Sequence, residues 1–369
     1  MIKWNQCPRD LQNEIYDCLL IEDLIALLIA SAEQKRHVER YLRSSCKRVN
    51  LQYAELTEFH LVEKCRALKS LTCKGDPAFY FDDEDPAKLL GFITSIVHHN
   101  AAHLHTIVLD DSSYLDLDKK SERLFFQAVA NCEKLQVFHS PTFETTEHLG
   151  LISKAVQVLR VTAATDISIL RLLPSFHSLT GLFLIVGDYE FPGFGVGPIF
   201  THLHSLQYLT IEIEDSHTVM DDRDISDAIW QFPQLLELRI IDEGREESDL
   251  PQFQAPLLRI FAIDNHYDMS MQELEIAFQH CPLLSVVVIG DGLYFRAVPD
   301  GSFSKHELGY KAWRKAACHC PSEMLRKSPA TLDDHLRAIT DFTPPCQCWA
   351  WPILHPERKS KKRRISHSL

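Results

Sequence analysis

The chain has no run of about 18 uncharged apolar residues. Its richest apolar stretch, Leu19 to Ala32, is broken by Glu22 and Asp23. No membrane-spanning helix is therefore expected, and no membrane partner. The N-terminus has no basic region followed by an apolar core, so no secretory signal is expected. Signatures of catalysis are missing as well: there is no Gly-x-Ser-x-Gly elbow, no phosphate loop with its lysine and no kinase signature. Glycine is sparse, at 13 in 369 residues. Its densest stretch, Gly193-Phe-Gly195-Val-Gly197, lies between Pro192 and Pro198. A nucleotide fingerprint must follow a strand and open a helix, so this stretch reads as a loop. With no residue set that points to chemistry, the expectation is a protein that is not an enzyme and carries no cofactor.

Cysteine is present but forms no framework. Eleven cysteines are scattered along the chain. An odd number without a regular pattern argues for free thiols in a reducing compartment, the cytosol or nucleus. Most should act as small buried apolar residues, as with Cys132 and Cys281. Two Cys-x-Cys pairs, Cys318/Cys320 and Cys346/Cys348, offer four thiols. Structural zinc sites space paired ligands by two to four residues, so the one-residue gap fits poorly and no metal is expected. The 19 histidines are dispersed. His98, His99, His103 and His105 crowd together but enclose no His-Glu-x-x-His helix, and read as solvated positions.

Charge is uneven. The net is −13, yet the stretch from Glu357 onward holds six basic residues and one acid, so the body is more acidic still. Such a body repels phosphate, and no nucleic-acid partner is expected. Acidic clusters stand at Asp82–Asp85, Asp110–Asp111, Glu212–Asp215, Asp221–Asp224 and Asp242–Asp249. Several follow a predicted strand directly, at one rim of the sheet. They read either as solvated loops or as a rim that recruits a basic partner. The run Arg358, Lys359, Lys361, Lys362, Arg363 and Arg364 has the make-up of a nuclear import signal. A solvated tail is the plainer alternative, and localisation is expected to be nuclear, cytoplasmic or both.

The strongest feature is a repeated phrase, Leu-x-x-apolar-x-apolar. It begins at Leu68, Leu104, Leu135, Leu159, Leu179, Leu206, Leu235, Leu257 and Leu283. The mean interval is near 27, within the range of leucine-rich repeats. Alternating apolar residues such as Leu209 and Ile211 point one way from a short strand. The segments before them, for example Ile229-Trp230-Gln-Phe232-Pro233 and Phe278-Gln-His-Cys281-Pro282, are expected to supply helical faces that cover those residues. One unit cannot bury this surface alone, whereas stacked units share a core. The expected fold is an α/β leucine-rich-repeat solenoid with parallel strands and outer helices. Ordinary βα units of a globular α/β domain are the other reading.

Ahead of the repeats, residues 4–45 read as three short helices. Pro8 suits a first helical position, with Asp10 in the first turn. Leu11, Ile15 and Leu19 form an apolar stripe. Glu22 and Asp23 start a second helix carrying Leu24, Leu27 and Leu28, and Val38, Tyr41 and Leu42 mark a third. The string from Cys7-Pro8 through Leu11, Ile15 and Leu19 to Asp23-Leu24 and Leu27 resembles an F-box, with Cys7 where that family carries Leu. The order of this module and then degenerate repeats is similar to F-box proteins with leucine-rich repeats. The resemblance implies a three-helix module that docks the Skp-type adaptor of a cullin ubiquitin ligase. By position it implies Pro8, Leu11, Ile15, Leu19, Leu24 and Leu27 as core and adaptor contacts. A plain cap over the solenoid end is the alternative for the same helices.

The expected organisation is an F-box-like module at 1–50, irregular repeats at 51–295, a helical cap at 296–345 and a basic tail at 346–369. In the cap, Leu308, Trp313, Leu325, Leu332 and Leu336 carry the helical spacing. The expected function is that of a substrate-recognition subunit of an Skp–cullin–F-box E3 ubiquitin ligase, with an unidentified protein target on the repeats. The rivals are a repeat scaffold without a ligase role, and an enzyme on an α/β fold with a deep polar pocket.

Overall fold

The computed structural model describes residues 7–17, 21–52, 60–74, 86–109, 119–140, 146–162, 172–186, 202–213, 229–242, 252–264, 270–290, 292–296 and 303–305. The chain divides into two compact units, Met1–Leu179 and Thr180–Leu369. Each is a mixed α/β unit built on a mostly parallel sheet.

The first unit opens with three helices, α1 (Arg9–Asp17), α2 (Ile21–Ala30) and α3 (Ala32–Ser44). Ser31 caps α3, its Oγ accepting from Gln34 N at 3.1 Å. Five parallel strands follow in sequence order: β1 (Arg48–Gln52), β2 (Ser70–Lys74), β3 (Thr106–Leu109), β4 (Val137–Ser140) and β5 (Val158–Thr162). Helix α4 (Pro86–Asn100) links β2 to β3 and α5 (Lys119–Ala130) links β3 to β4, while a 3-10 turn (Thr146–Leu151) links β4 to β5.

In the second unit, β6 (Gly181–Val186), β7 (Tyr208–Ile213), β9 (Glu237–Asp242), β11 (Ile260–Asp264) and β12 (Val286–Ile289) run parallel. Two further strands, β13 (Gly292–Arg296) and β14 (Phe303–Lys305), pair antiparallel at the end. Gly290 makes the reversal, with φ of 53°, a conformation that costs an L side chain but not glycine. Helix α6 (Met271–Ala277) precedes β12 and carries a full capping box between Ser270 and Glu273. The segment Ile229-Trp230-Gln231, expected to be helical, is instead strand β8, paired parallel with β10 (Gln252–Gln254). A β-branched residue and an aromatic ahead of Pro233 favour the extended form. Among the described residues, outer helices therefore precede only some of the repeat strands.

Each strand is placed by one carbonyl that accepts two successive N–H groups from the next turn. Lys47 O takes Lys69 N and Ser70 N, Lys69 O takes His105 N and Thr106 N, and His105 O takes Gln136 N and Val137 N. Gln136 O takes Gln157 N and Val158 N. The second unit repeats the pattern from Thr180 through Gln207, Leu236 and Arg259 to Ser285. This fork fixes the register, and the register fixes the core rows. Leu71, Ile107, Phe138 and Leu159 stand side by side and are fully buried. Leu182, Leu209, Leu238, Phe261 and Val287 do the same in the second unit.

The register corrects three of the nine phrase starts. Leu159 aligns with Phe138, so that unit begins at the buried Val156. Likewise Leu258 and Leu284 fill the first apolar position, not Leu257 and Leu283. A Leu-Leu pair is ambiguous by one place in sequence, and the fork resolves it. A further unit was not seen at all. Cys46, Val49 and Leu51 are buried where Leu-x-x-Leu-x-apolar would stand, and a cysteine in the leading position hid it.

The opposite face of the strands is not bare. Val108, Val137 and Val158 in the first unit, and Thr210, Ala262 and Val288 in the second, are all 4% exposed or less. A two-sided apolar pattern is what parallel strands buried on both faces require. Asn100 is a second buried fastener: its Nδ2 donates to Cys65 O at 3.1 Å and Ile96 O at 2.8 Å, while its Oδ1 accepts from Leu68 N at 3.0 Å. It thus ties the end of α4 to the turn into β2.

The corrected register makes a sharp prediction. Leu284→Ala should cost about 3 kcal/mol, as for a core leucine, whereas Leu283→Ala should change stability by less than about 0.5 kcal/mol. Urea denaturation of the two variants decides it, and equal effects would reverse the assignment.

Candidate partner-docking site

Helix α1 is held from its polar side. Pro8 O accepts from Gln12 N at 3.0 Å, so Pro8 is the cap just outside the helix, one place earlier than its sequence reading. Gln12 and Tyr16 are the residues α1 buries. Gln12 Nε2 donates to Cys7 O at 3.0 Å. The Tyr16 ring packs against Tyr41 of α3 with centroids 5.0 Å apart. Tyr41 Oη donates to Asp17 Oδ1 at 2.5 Å, Asn13 Nδ2 to Ser45 Oγ at 3.2 Å and Arg9 to Ser44 Oγ at 3.3 Å. Residues 9, 13 and 17 are four apart, so one stripe of α1 is stitched to the end of α3.

Burial, the nearby Cys46 and the bond to Asp17 together push the Tyr41 hydroxyl well above its ordinary pKa, so it stays a donor. Cys46 and Cys65 lie beneath this stitch, both buried. Their mutual hydrogen bond lowers the Cys46 thiol and raises that of Cys65. Cys132 and Cys281 are buried as expected. Burial pushes their thiols up to about 12 and about 11, so both stay protonated near neutrality.

With its polar side tied down, α1 turns its apolar residues outward. Leu11 is 46% exposed and Ile15 37%, and Pro8 is exposed beside them. They are not core residues, and the part of the expectation that gave them to the core is corrected. On α2 the roles divide differently: Leu24 is 4% exposed and belongs to the core, Leu27 and Leu28 are half-buried, and Ile29 is 80% exposed. Val38, Tyr41 and Leu42 form the buried side of α3. Leu19 lies outside the described residues, as do the Gly193–Gly197 loop, the two late Cys-x-Cys pairs, the 306–345 segment and the basic run Arg358–Arg364. Of the acidic clusters, Glu212 and Asp242 lie in described strands and the rest do not. His98, His99 and His103 are exposed, His105 half-buried. Among the described residues no group of three metal-ligating side chains converges, and no helix is long and apolar enough to cross a membrane.

The sequence reading missed the polar stripe of α1. Its signal was there, as Arg9, Asn13 and Asp17 at helical spacing with Gln12 and Tyr16 between them.

No family model and no curated protein matches the chain. Among solved structures, one similar fold is the crystal structure of the Rad7 and Elc1 complex in yeast. The match covers 76% of this chain and 87% of that one, at 13% identity and a TM-score of 0.37. A likeness this loose bears on neither function nor partner.

Tyr41→Phe removes the bond that anchors Asp17 and should destabilise the first unit by about 2 kcal/mol. The readout is the urea midpoint followed by circular dichroism. An unchanged midpoint would show that the stitch contributes nothing.

Proposed function

We propose that the chain is the substrate-recognition subunit of an Skp–cullin–F-box E3 ubiquitin ligase. The reading rests on one observation above the others: α1 is fastened by its polar side and presents Leu11 and Ile15 to solvent. Two large apolar side chains one helical turn apart, with Pro8 beside them, form a helix face suited to an apolar groove of an adaptor. The F-box-like string of residues 7–27 names the adaptor class. The repeats that follow supply the surface on which a protein target is held. The subunit does no chemistry itself. It raises the effective concentration of a target lysine at the charged enzyme. The basic run from Arg358 to Arg364 directs the chain to the nucleus in this account.

The test is co-precipitation of the tagged chain with a Skp-type adaptor. Leu11→Asp combined with Ile15→Asp should abolish recovery while leaving the thermal midpoint nearly unchanged, because both positions are exposed. The reading fails if the parent chain recovers no adaptor or if the double variant recovers as much as the parent. In the second case the three helices serve as a cap on a repeat scaffold.

A further inference from the structure

The turns that lead into β1–β5 carry a basic side chain at every level, lysine or arginine at four of them and histidine at the third. Lys47 and Arg48 stand at β1, Arg66 and Lys69 before β2, His103 and His105 before β3, Lys134 before β4 and Lys154 before β5. All the lysines and arginines among these are exposed, and these turns contain two acids, Glu63, which lies 3.6 Å from His60, and Glu133. The forked carbonyls place them in order. Lys47 bonds to Lys69, Lys69 to His105, His105 to Gln136 and Gln136 to Gln157 through the main chain. Neighbouring levels are therefore one strand spacing apart, about 4.8 Å. Among the described residues, no carboxylate pairs with Lys47, Lys69 or Lys134; the three ion pairs described there involve His37, His60 and Lys64. The main chain aligns Lys47, Lys69, His105, Gln136 and Gln157, and Lys134 and Lys154 lie in the same turns two and three residues ahead of that line, in a chain whose net charge is −13. In the sequence, the stretches that follow these strands are acidic: Glu55 and Glu58 come after β1, Asp76 after β2, and Asp110 and Asp111 after β3.

We infer that this cationic edge of the first unit is a binding surface for an extended acidic peptide segment of a protein partner. Five levels span about 19 Å, which about six residues of extended chain cover. A short carboxylate-rich segment meets this edge by charge complementarity and ends before it reaches the acidic remainder. A nucleic-acid strand fits less well. It carries phosphates past this edge, where the net negative charge repels it. The turns also offer no exposed aromatic ring on which a base could stack. The inference does not depend on the adaptor-docking role of α1.

The test is fluorescence anisotropy of the full chain with a labelled alternating Glu-Asp peptide of about ten residues. The parent should bind it, with affinity falling as salt rises. Lys47→Glu with Lys69→Glu should weaken binding at least about tenfold and flatten the salt dependence. Lys47→Gln with Lys69→Gln is the milder pair, should the reversal disturb folding, and should weaken binding in the same direction. Leu11→Asp with Ile15→Asp should bind the peptide as the parent does, which separates this surface from the adaptor face. The inference is overturned if the parent fails to bind the peptide, if the folded lysine variants bind it unchanged, or if a labelled oligonucleotide of equal charge or phosphatidylserine vesicles are bound more tightly than the peptide.

Discussion

A carbonyl that accepts two N–H groups from the next turn is the interaction on which the repeats depend. It recurs from Lys47 to Gln136 in one unit and from Thr180 to Arg259 in the other. The connections between strands differ in length and type, from the 15-residue α4 to short 3-10 turns. Helical packing alone could not hold such unequal pieces in step. The fork does so because it is made by main-chain atoms and is indifferent to the side chains. Once it sets the register, Leu71, Ile107, Phe138 and Leu159 have no choice but to stack, and the same follows for Leu182 through Val287. Burial of these rows then provides the stabilisation that no single unit can supply.

Main-chain register also explains what the sequence showed and what it hid. The existence of repeats was legible because an apolar side chain three places after a leucine, and another two later, is a pattern with a geometric cause. The starts at Leu68, Leu104, Leu135, Leu179 and Leu206 were legible because each leucine stands alone in its place, and in the pair Leu235-Leu236 the first leucine is the one the register selects. At Leu257-Leu258 and Leu283-Leu284 two candidates compete, and only the backbone decides. At Val156 and Cys46 a smaller residue fills the leucine position, and the periodicity signal drops below notice. Strand β8 escaped because three residues are too few to show a period of two.

The N-terminal helices teach a different lesson. Amphipathic reasoning assigns the apolar stripe of a helix to the core, and Leu11 and Ile15 fit that stripe. In α1 the assignment is inverted. Gln12 and Tyr16 face inward, and Asp17 is held at the surface, because Tyr41 offers a ring and a hydroxyl, and Ser44 and Ser45 offer acceptors at the end of α3. A helix anchored through polar bonds leaves its apolar side outward. The polar stitch and the exposed pair are thus two sides of one arrangement.

The central claim is that this outward face of α1 is a docking surface carried by an already ordered body. Amide hydrogen exchange of the purified chain, with and without a Skp-type adaptor, tests it most directly. The account predicts slowed exchange across Arg9–Asp17 on adding the adaptor, with amides of β2–β5 equally protected in both samples. Exchange in α1 that is unaffected by the adaptor, or slowing confined to the strands, would contradict it.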